Sequence, residues 1–345
     1  METLLWEPSQ PPGYVRCMAC MHHCVLPPGQ TGRCGVRRNT AGTLRSLVSG
    51  GIVSAHADPV EKKPLYHYLP GTSTFSFATE GCNFRCSFCQ NAEISQHPTL
   101  TSHIRQQAAH PDALLRTARN LACSSIAFTY TEPTVFIELM QACAQKALDA
   151  GLGTVMVSNG YQSPAALSLL APLIQAANID LKSMNPHFYR EHCKATLQPV
   201  LDNLCRMRDN GWWLEVTTLL IPSLNDSPEE LEEIARFIAG KLGSHVPWHV
   251  SAFHPAFAMQ NCSATPPDRI ELACRIGHEA GLSFVYPGNV SSRAIHATRS
   301  TLCPQCGAPC IDRDSLPQSG FSGLCPSCGS RLPGVWNVPT EGSHD

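Results

Sequence analysis

Between residues 71 and 290 the chain alternates short apolar, β-like runs with longer segments in which apolar residues recur at helical spacing. The runs predict strands at 74–79, 124–129, 153–158, 177–181, 213–220 and 247–252, and a weaker seventh at Leu282-Ser283-Phe284-Val285-Tyr286. Between them lie helical patterns such as 111–122, 133–150, 164–176 and 227–239. The last opens Asn225-Asp226-Ser227-Pro228-Glu229-Glu230, which supplies capping side chains, a first-turn proline and then acids. Strands alternating with helices predict an α/β fold whose parallel sheet is joined by right-handed crossovers. The same pattern also suits a partly closed barrel or a more open sheet.

The flanks differ from this core. Residues 1–70 are loop-rich, and residues 300–336 show little regular pattern, so the expected organisation is a core at 71–290 with a Cys-rich N-terminal region and a small C-terminal module. A chain of 345 residues suits one large core with appendages. Its net charge of −2 gives no basic field to advertise nucleic-acid binding, although a local patch could still hold RNA. No leader pattern opens the chain and no apolar run approaches membrane-spanning length, so a soluble, cytoplasmic protein without membrane contact is expected. The 18 cysteines fall largely into clusters, which in such a chain point to metal sites rather than disulfides.

The densest cluster is Gly81-Cys82-Asn83-Phe84-Arg85-Cys86-Ser87-Phe88-Cys89, a Cys-x3-Cys-x2-Cys spacing. It follows the run Thr74-Phe75-Ser76-Phe77-Ala78-Thr79 and so occupies a loop at the C-terminal end of a strand, where parallel α/β folds place their chemistry. Three thiolates can hold three irons of a cubane cluster and leave the fourth iron open. The bland alternative is a zinc site that borrows a fourth ligand such as His97 or Cys123. The segment resembles the radical S-adenosylmethionine (SAM) signature, which implies a [4Fe–4S] cluster on Cys82, Cys86 and Cys89 with SAM on the open iron. The resemblance also implies a partial (β/α)6 TIM-like barrel, with SAM across its C-terminal mouth.

Later strand ends carry suitable groups. Thr129-Tyr130-Thr131-Glu132-Pro133 resembles the superfamily's Gly-Gly-Glu-Pro segment, which implies that Glu132 contacts SAM, although tyrosine and threonine replace the glycines. Alternatively, Glu132 is simply an acid at a helix N-terminus. Ser158-Asn159-Gly160-Tyr161 resembles the Thr-Asn-Gly loop of activating enzymes, which implies a SAM contact at Asn159; Val157 stands where those enzymes often have an acid. Asp180 and Lys182 fall on one face of a strand, and a charge pair there is expensive unless paired or used. Lys182 would meet the SAM carboxylate, while Asp180 would hold Lys182 or a ribose hydroxyl; a structural salt bridge is the alternative. His249 and His254 suit proton transfer or structural hydrogen bonds, and Asn289 ends the seventh run.

Two outer quartets remain. Cys303-Pro304-Gln305-Cys306 and Cys325-Pro326-Ser327-Cys328, 18 residues apart, have zinc-ribbon spacing, and four thiolates would close the coordination sphere. Cys17, Cys20, Cys24 and Cys34 suggest a second metal site, either zinc or an auxiliary iron–sulfur cluster. Cys123, Cys143, Cys193, Cys205, Cys262, Cys274 and Cys310 read as small buried apolar residues.

These segments, with Gly32-Arg33-Cys34-Gly35-Val36-Arg37, Asp58-Pro59-Val60-Glu61-Lys62-Lys63-Pro64-Leu65 and Pro333-Gly334-Val335-Trp336, resemble the AmmeMemoRadiSam system radical SAM enzymes. That family is similar to pyruvate formate-lyase activating enzymes. The resemblance implies reductive SAM cleavage, hydrogen abstraction from an unidentified substrate, and a low-potential electron donor of flavodoxin or ferredoxin type. One alternative is an activase that installs a glycyl radical on a partner protein. A rival of another class is a non-catalytic zinc-binding scaffold.

Overall fold

Eight strands form one sheet in the computed structural model, which describes residues 3–96, 107–291, 295–296, 298–313 and 320–338. They are β1 Ser54–Pro59, β2 Ser73–Ala78, β3 Ser125–Phe128, β4 Gly153–Ser158, β5 Ala176–Asp180, β6 Trp213–Leu220, β7 Trp248–Ala252 and β8 Val285–Gly288. Neighbours in sequence are neighbours in the sheet. All pairs from β2 to β8 are parallel, and only β1 runs antiparallel, against β2. The two ends of the sheet do not pair with each other, so the barrel is partial. The sheet therefore begins at Ser54, earlier than the core expected from residue 71 onward.

Period-two alternation divides the strands between two environments. Ile126, Phe128, Met156, Ile179 and Val216 face one large cluster shared with the crossover helices α1 Pro111–Asn120, α2 Ile137–Asp149, α3 Pro164–Leu170, α4 Gln198–Asp209, α5 Pro228–Phe237 and α6 Pro267–Glu279. Ala127, Val155 and Ala176 face the other way and pack with Val60, Leu65, Tyr68 and Leu69. Small side chains on this inner face leave room for the chain that precedes β2.

Inner-face polar groups fasten that segment. Glu215 accepts the backbone N–H groups of Tyr66 and His67 at 2.9 and 2.7 Å, and Asn178 Nδ2 donates to Pro64 O at 2.8 Å. The lower half of the inner face is thus filled, and the half toward the C-terminal strand ends stays open.

Some expected elements stop early. The pattern at 164–176 gives a helix only to Leu170; Ala171 still has helical backbone and donates to Leu167 O, but Pro172 has no N–H with which to continue the ladder. The pattern at 133–150 divides into a 3₁₀ turn, Pro133–Phe136, and α2. Ser227 Oγ caps α5 by accepting Glu230 N at 3.3 Å, as its sequence predicts. The N-terminal region is more ordered than a loop: Trp6–Ser9, Tyr14–Cys17 and Val25–Leu26 form an antiparallel sheet beside the hairpin Arg37–Thr40/Thr43–Ser46. No helix among the described residues is long and apolar enough to cross a membrane.

Candidate functional site

The loop after β2 carries Cys82, Cys86 and Cys89, the first two buried and the third half-buried. Its entry depends on Gly81, at φ +96°, where a Cβ would lie 2.8 Å from Cys34 O and Val36 Cγ1. The loop then docks along a neighbouring π turn: Arg85 N donates to Cys193 O and Ser87 N to His192 O, each at 2.9 Å. Phe88 packs on Phe188 with ring centroids 5.7 Å apart, and Phe84 packs edge-on against Tyr161 at 5.1 Å. These contacts fix the three thiols in space before anything binds them.

The thiols border a cleft of about 370 Å³, a volume typical of a small-molecule site. Across it stand residues from successive strand ends: Tyr130 after β3, Asn159 after β4, Asp180 and Lys182 at β5, Thr217 on β6 and Asn289 after β8. Lys182 Nζ lies 2.8 Å from Asp180 Oδ2, with 12% of the lysine side chain exposed. Burial works against the ammonium, but Asp180, Cys86 and Cys193 hold its pKa well above the usual lysine value.

Asn159 reaches the loop itself. Its Nδ2 donates to Asn83 Oδ1 at 2.7 Å and approaches Cys82 Sγ at 3.8 Å, while Phe84 N donates to the same sulfur at 3.4 Å. N–H groups aimed at a cysteine sulfur stabilise a thiolate ligand and tune a bound cluster. Without a metal, burial and then the Glu132 charge push the Cys82 thiol up, and Cys193 and then burial do so for Cys86. A bound metal is the positive charge that would reverse this.

Glu132 takes the capping role at the N-terminus of the turn after β3 and is not among the residues lining the cleft. It is fully buried beneath the cleft. Its oxygens accept from Thr134 N (3.0 Å), Thr134 Oγ1 (2.6 Å), Ser158 Oγ (2.9 Å), Asn159 N (3.0 Å) and Gln162 Nε2 (3.3 Å). It caps the 3₁₀ turn and ties the end of β3 to the end of β4. His249 is likewise structural, buried 2.6 Å from Glu215, while His254 Nε2 lies 3.2 Å from Asn289 O outside the strand. Cys123 precedes the N-terminal end of β3, opposite the cysteine loop, and His97 lies outside the described residues.

The outer quartets behave differently from each other. Cys303, Cys306, Cys325 and Cys328 bring their sulfurs within 4.8 Å of one another, the only such group of three or more metal-ligating side chains among the described residues. Cys17, Cys20, Cys24 and Cys34 surround a small cavity without closing on a single point.

Two contacts could not be read from spacing. Cys193, distant in sequence, stands against the Cys86 thiol, and Ser95 Oγ lies 3.1 Å from Cys89 Sγ. Both depend on how the loop folds back on its neighbours.

Comparison with known proteins fits this geometry. The family described as the radical SAM superfamily matches residues 77–238. An uncharacterized protein of Methanocaldococcus jannaschii is 40% identical over 299 residues, 87% of each chain. The pyruvate formate-lyase-activating enzyme of Listeria monocytogenes is 24% identical over 168 residues, 46% of this chain and 66% of the relative. In fold, the chain is similar to a radical SAM methyltransferase from Sphaerobacter thermophilus, with a TM-score of 0.51 and 18% identity over 72% of each chain.

Proposed function

Because the chain belongs to the radical SAM superfamily and is an enzyme of that class, we propose that it holds a [4Fe–4S] cluster on Cys82, Cys86 and Cys89 and binds SAM in the adjoining cleft. One observation carries this reading: three thiols on a single strand-end loop face an ammonium–carboxylate pair across a cavity of substrate size. The donor set fits a cluster better than a lone ion, since the three sulfurs are not drawn together as a mononuclear site requires. The alternative of a non-catalytic zinc scaffold fails on family membership.

Cys82, Cys86 and Cys89 would hold the cluster, which when bound would supply the one-electron reduction needed for cleavage of SAM and for hydrogen-atom abstraction from a substrate C–H bond. The chain supplies placement. Lys182 offers its ammonium to the SAM carboxylate, and Asp180 orients Lys182 or accepts from a ribose hydroxyl. Asn159 braces the loop at Cys82, and Glu132 braces Asn159. Phe88 and Phe84 keep apolar surface at the thiols and exclude water.

The substrate has two readings. The first is an unidentified small molecule or modified base. The second is a backbone glycine of a partner protein, supported by the 24% identity to the Listeria activating enzyme over 168 residues. Either requires a low-potential electron donor of flavodoxin or ferredoxin type and a reducing, cytoplasmic setting. The tail module at 300–336 is proposed to bind zinc: about 2.3 Å bonds in a tetrahedron set sulfur–sulfur edges of about 3.8 Å. Cys303 and Cys328 lie 3.7 Å apart, as do Cys306 and Cys325.

The test is 5′-deoxyadenosine formation by the anaerobically reconstituted protein with SAM and dithionite, beside Cys86→Ala. Wild type should form it and the variant should not. Substantial turnover by the variant would overturn the assignment.

A further inference from the structure

Directly behind the cysteine loop lies a second, enclosed cavity. Cys17, Cys20, Cys24 and Cys34 all line it, together with Arg37 and Asn83. Four thiols converging on one cavity make a ligand set, and their spacing says which kind. A zinc tetrahedron draws its sulfurs to about 3.8 Å, and two sulfur pairs of the C-terminal quartet lie 3.7 Å apart. The N-terminal sulfurs are not gathered even within 4.8 Å of one another. They stand around a hollow rather than a point, which suits ligands attached to the corners of a cubane.

Two further observations are independent of the cysteines. Arg37 and Asn83 are 2% and 1% exposed, and each has a buried nitrogen, Arg37 Nε and Asn83 Nδ2, that finds no partner in the protein. Both side chains line the cavity. Unpaired buried donors are uncommon because each forfeits its hydration. Thiolates and inorganic sulfides would accept them, and N–H donation to sulfur is a normal feature of iron–sulfur sites. The rest of the Arg37 guanidinium is already held by Glu138 at 2.9 Å and by Leu4 O.

The cavity is also joined to the cysteine loop. Gly81 packs against Cys34 O, and His22 Nε2 lies 2.9 Å from Asn83 O. Asn83 is next to Cys82 in sequence, so one residue separates the two ligand sets.

We propose that Cys17, Cys20, Cys24 and Cys34 bind a second [4Fe–4S] cluster immediately behind the SAM-cleaving loop. Four thiolates cap all four of its irons, so it has no open position for SAM. That difference makes the two clusters separable by experiment.

The full-length chain with Cys82→Ala, Cys86→Ala and Cys89→Ala is reconstituted anaerobically with ferrous iron and sulfide. Iron, labile sulfide and zinc are then counted. It should keep about half of the wild-type iron and sulfide, and its dithionite-reduced electron paramagnetic resonance signal should not change on adding SAM. Adding Cys17→Ser and Cys20→Ser should remove that remainder. The reciprocal variant, Cys20→Ser with Cys24→Ser in an otherwise wild-type chain, should lose half the iron yet keep a SAM-sensitive signal. This second route serves if the triple variant is insoluble. A second equivalent of zinc, beyond the one proposed for the C-terminal quartet, in place of iron in the triple variant would overturn the proposal while leaving the SAM site intact. So would full iron content in the reciprocal variant. A wild-type chain with no SAM-sensitive signal would fail the other reading instead.

Discussion

Lys182 Nζ lies 2.8 Å from Asp180 Oδ2, and the pair faces the cleft from β5, with Cys86 close enough to favour the ammonium. The lysine is the more buried partner, so its charge is screened least. If it meets the SAM carboxylate, Lys182→Met should raise the KM for SAM about tenfold or more, equivalent to about 1.4 kcal/mol. Asp180→Asn should have a smaller effect, because that side chain is 37% exposed. Initial rates of 5′-deoxyadenosine formation across SAM concentration provide the check. An unchanged KM in Lys182→Met would reduce the pair to a structural salt bridge.

Glu132 leads to a different outcome. Its carboxylate receives donors from Thr134, Ser158, Asn159 and Gln162, all inside the protein. A glutamine there would turn an NH₂ toward groups that already donate. Glu132→Gln should therefore cost about 3 kcal/mol of stability in urea unfolding. The protein that remains folded should keep a KM for SAM within about twofold of wild type. A large KM change without loss of stability would make Glu132 a direct SAM contact.

Of the two roles the sequence offers Glu132, the capping one is visible in the fold, but its full hydrogen-bond enclosure is not legible from spacing. Its motif marks a strand end correctly, but the Ser158 and Gln162 groups that enclose it come from the end of β4 and the loop that follows. Strands β2 to β7 were legible because both faces are packed, which makes their sequences nearly continuous apolar runs. Strand β1, Ser-Ala-His-Ala-Asp-Pro, is a largely exposed edge and carries no such run. The four-residue N-terminal strands are too short for any period to emerge. Thiol spacing separated the clustered cysteines into three groups. Whether a set closes on a point or surrounds a hollow depends on backbone folding, which spacing does not encode.

Tyr130 holds a left-handed backbone, φ +65°, where the superfamily's related segment has glycine. Its carbonyl accepts from Asn91 Nδ2 at 2.7 Å, and its hydroxyl donates to Asp58 Oδ2 at 3.1 Å. Burial alone would raise the Asp58 pKa, but hydrogen bonds from Lys62, Lys63 and Tyr130 bring it down to about 2. A depressed carboxylate stabilises the fold above its unfolded pKa of about 4, and that contribution is lost as pH falls through the folded value. The thermal midpoint of wild type should exceed that of Asp58→Asn at pH 5 to 7. The difference should shrink below pH 4 and vanish near pH 2. A gap independent of pH would mean that Asp58 acts through shape rather than charge.

The C-terminal quartet lies far along the chain from the cleft, yet its exit is stitched beneath the barrel. Leu69 N donates to Val335 O and Val335 N to His67 O, both at 2.7 Å; His67 Nδ1 lies 2.8 Å from Pro333 O. Trp336 packs on His67 with ring centroids 5.4 Å apart. His67 and Leu69 belong to the segment that fills the inner face, so a metal fixing Cys325 and Cys328 would steady the floor of the barrel from below. Cys325→Ser should release the bound metal and lower the thermal midpoint by about 5 °C, the scale of a loss of one or two kcal/mol. Well below that midpoint, 5′-deoxyadenosine formation should stay near the wild-type rate, because the cleft opens at the opposite strand ends. Metal analysis, calorimetry and the cleavage assay on the same preparation make the comparison. Retained metal with an unchanged midpoint would remove the quartet from the stability argument, and loss of cleavage in folded protein would give it a catalytic role that its position does not suggest.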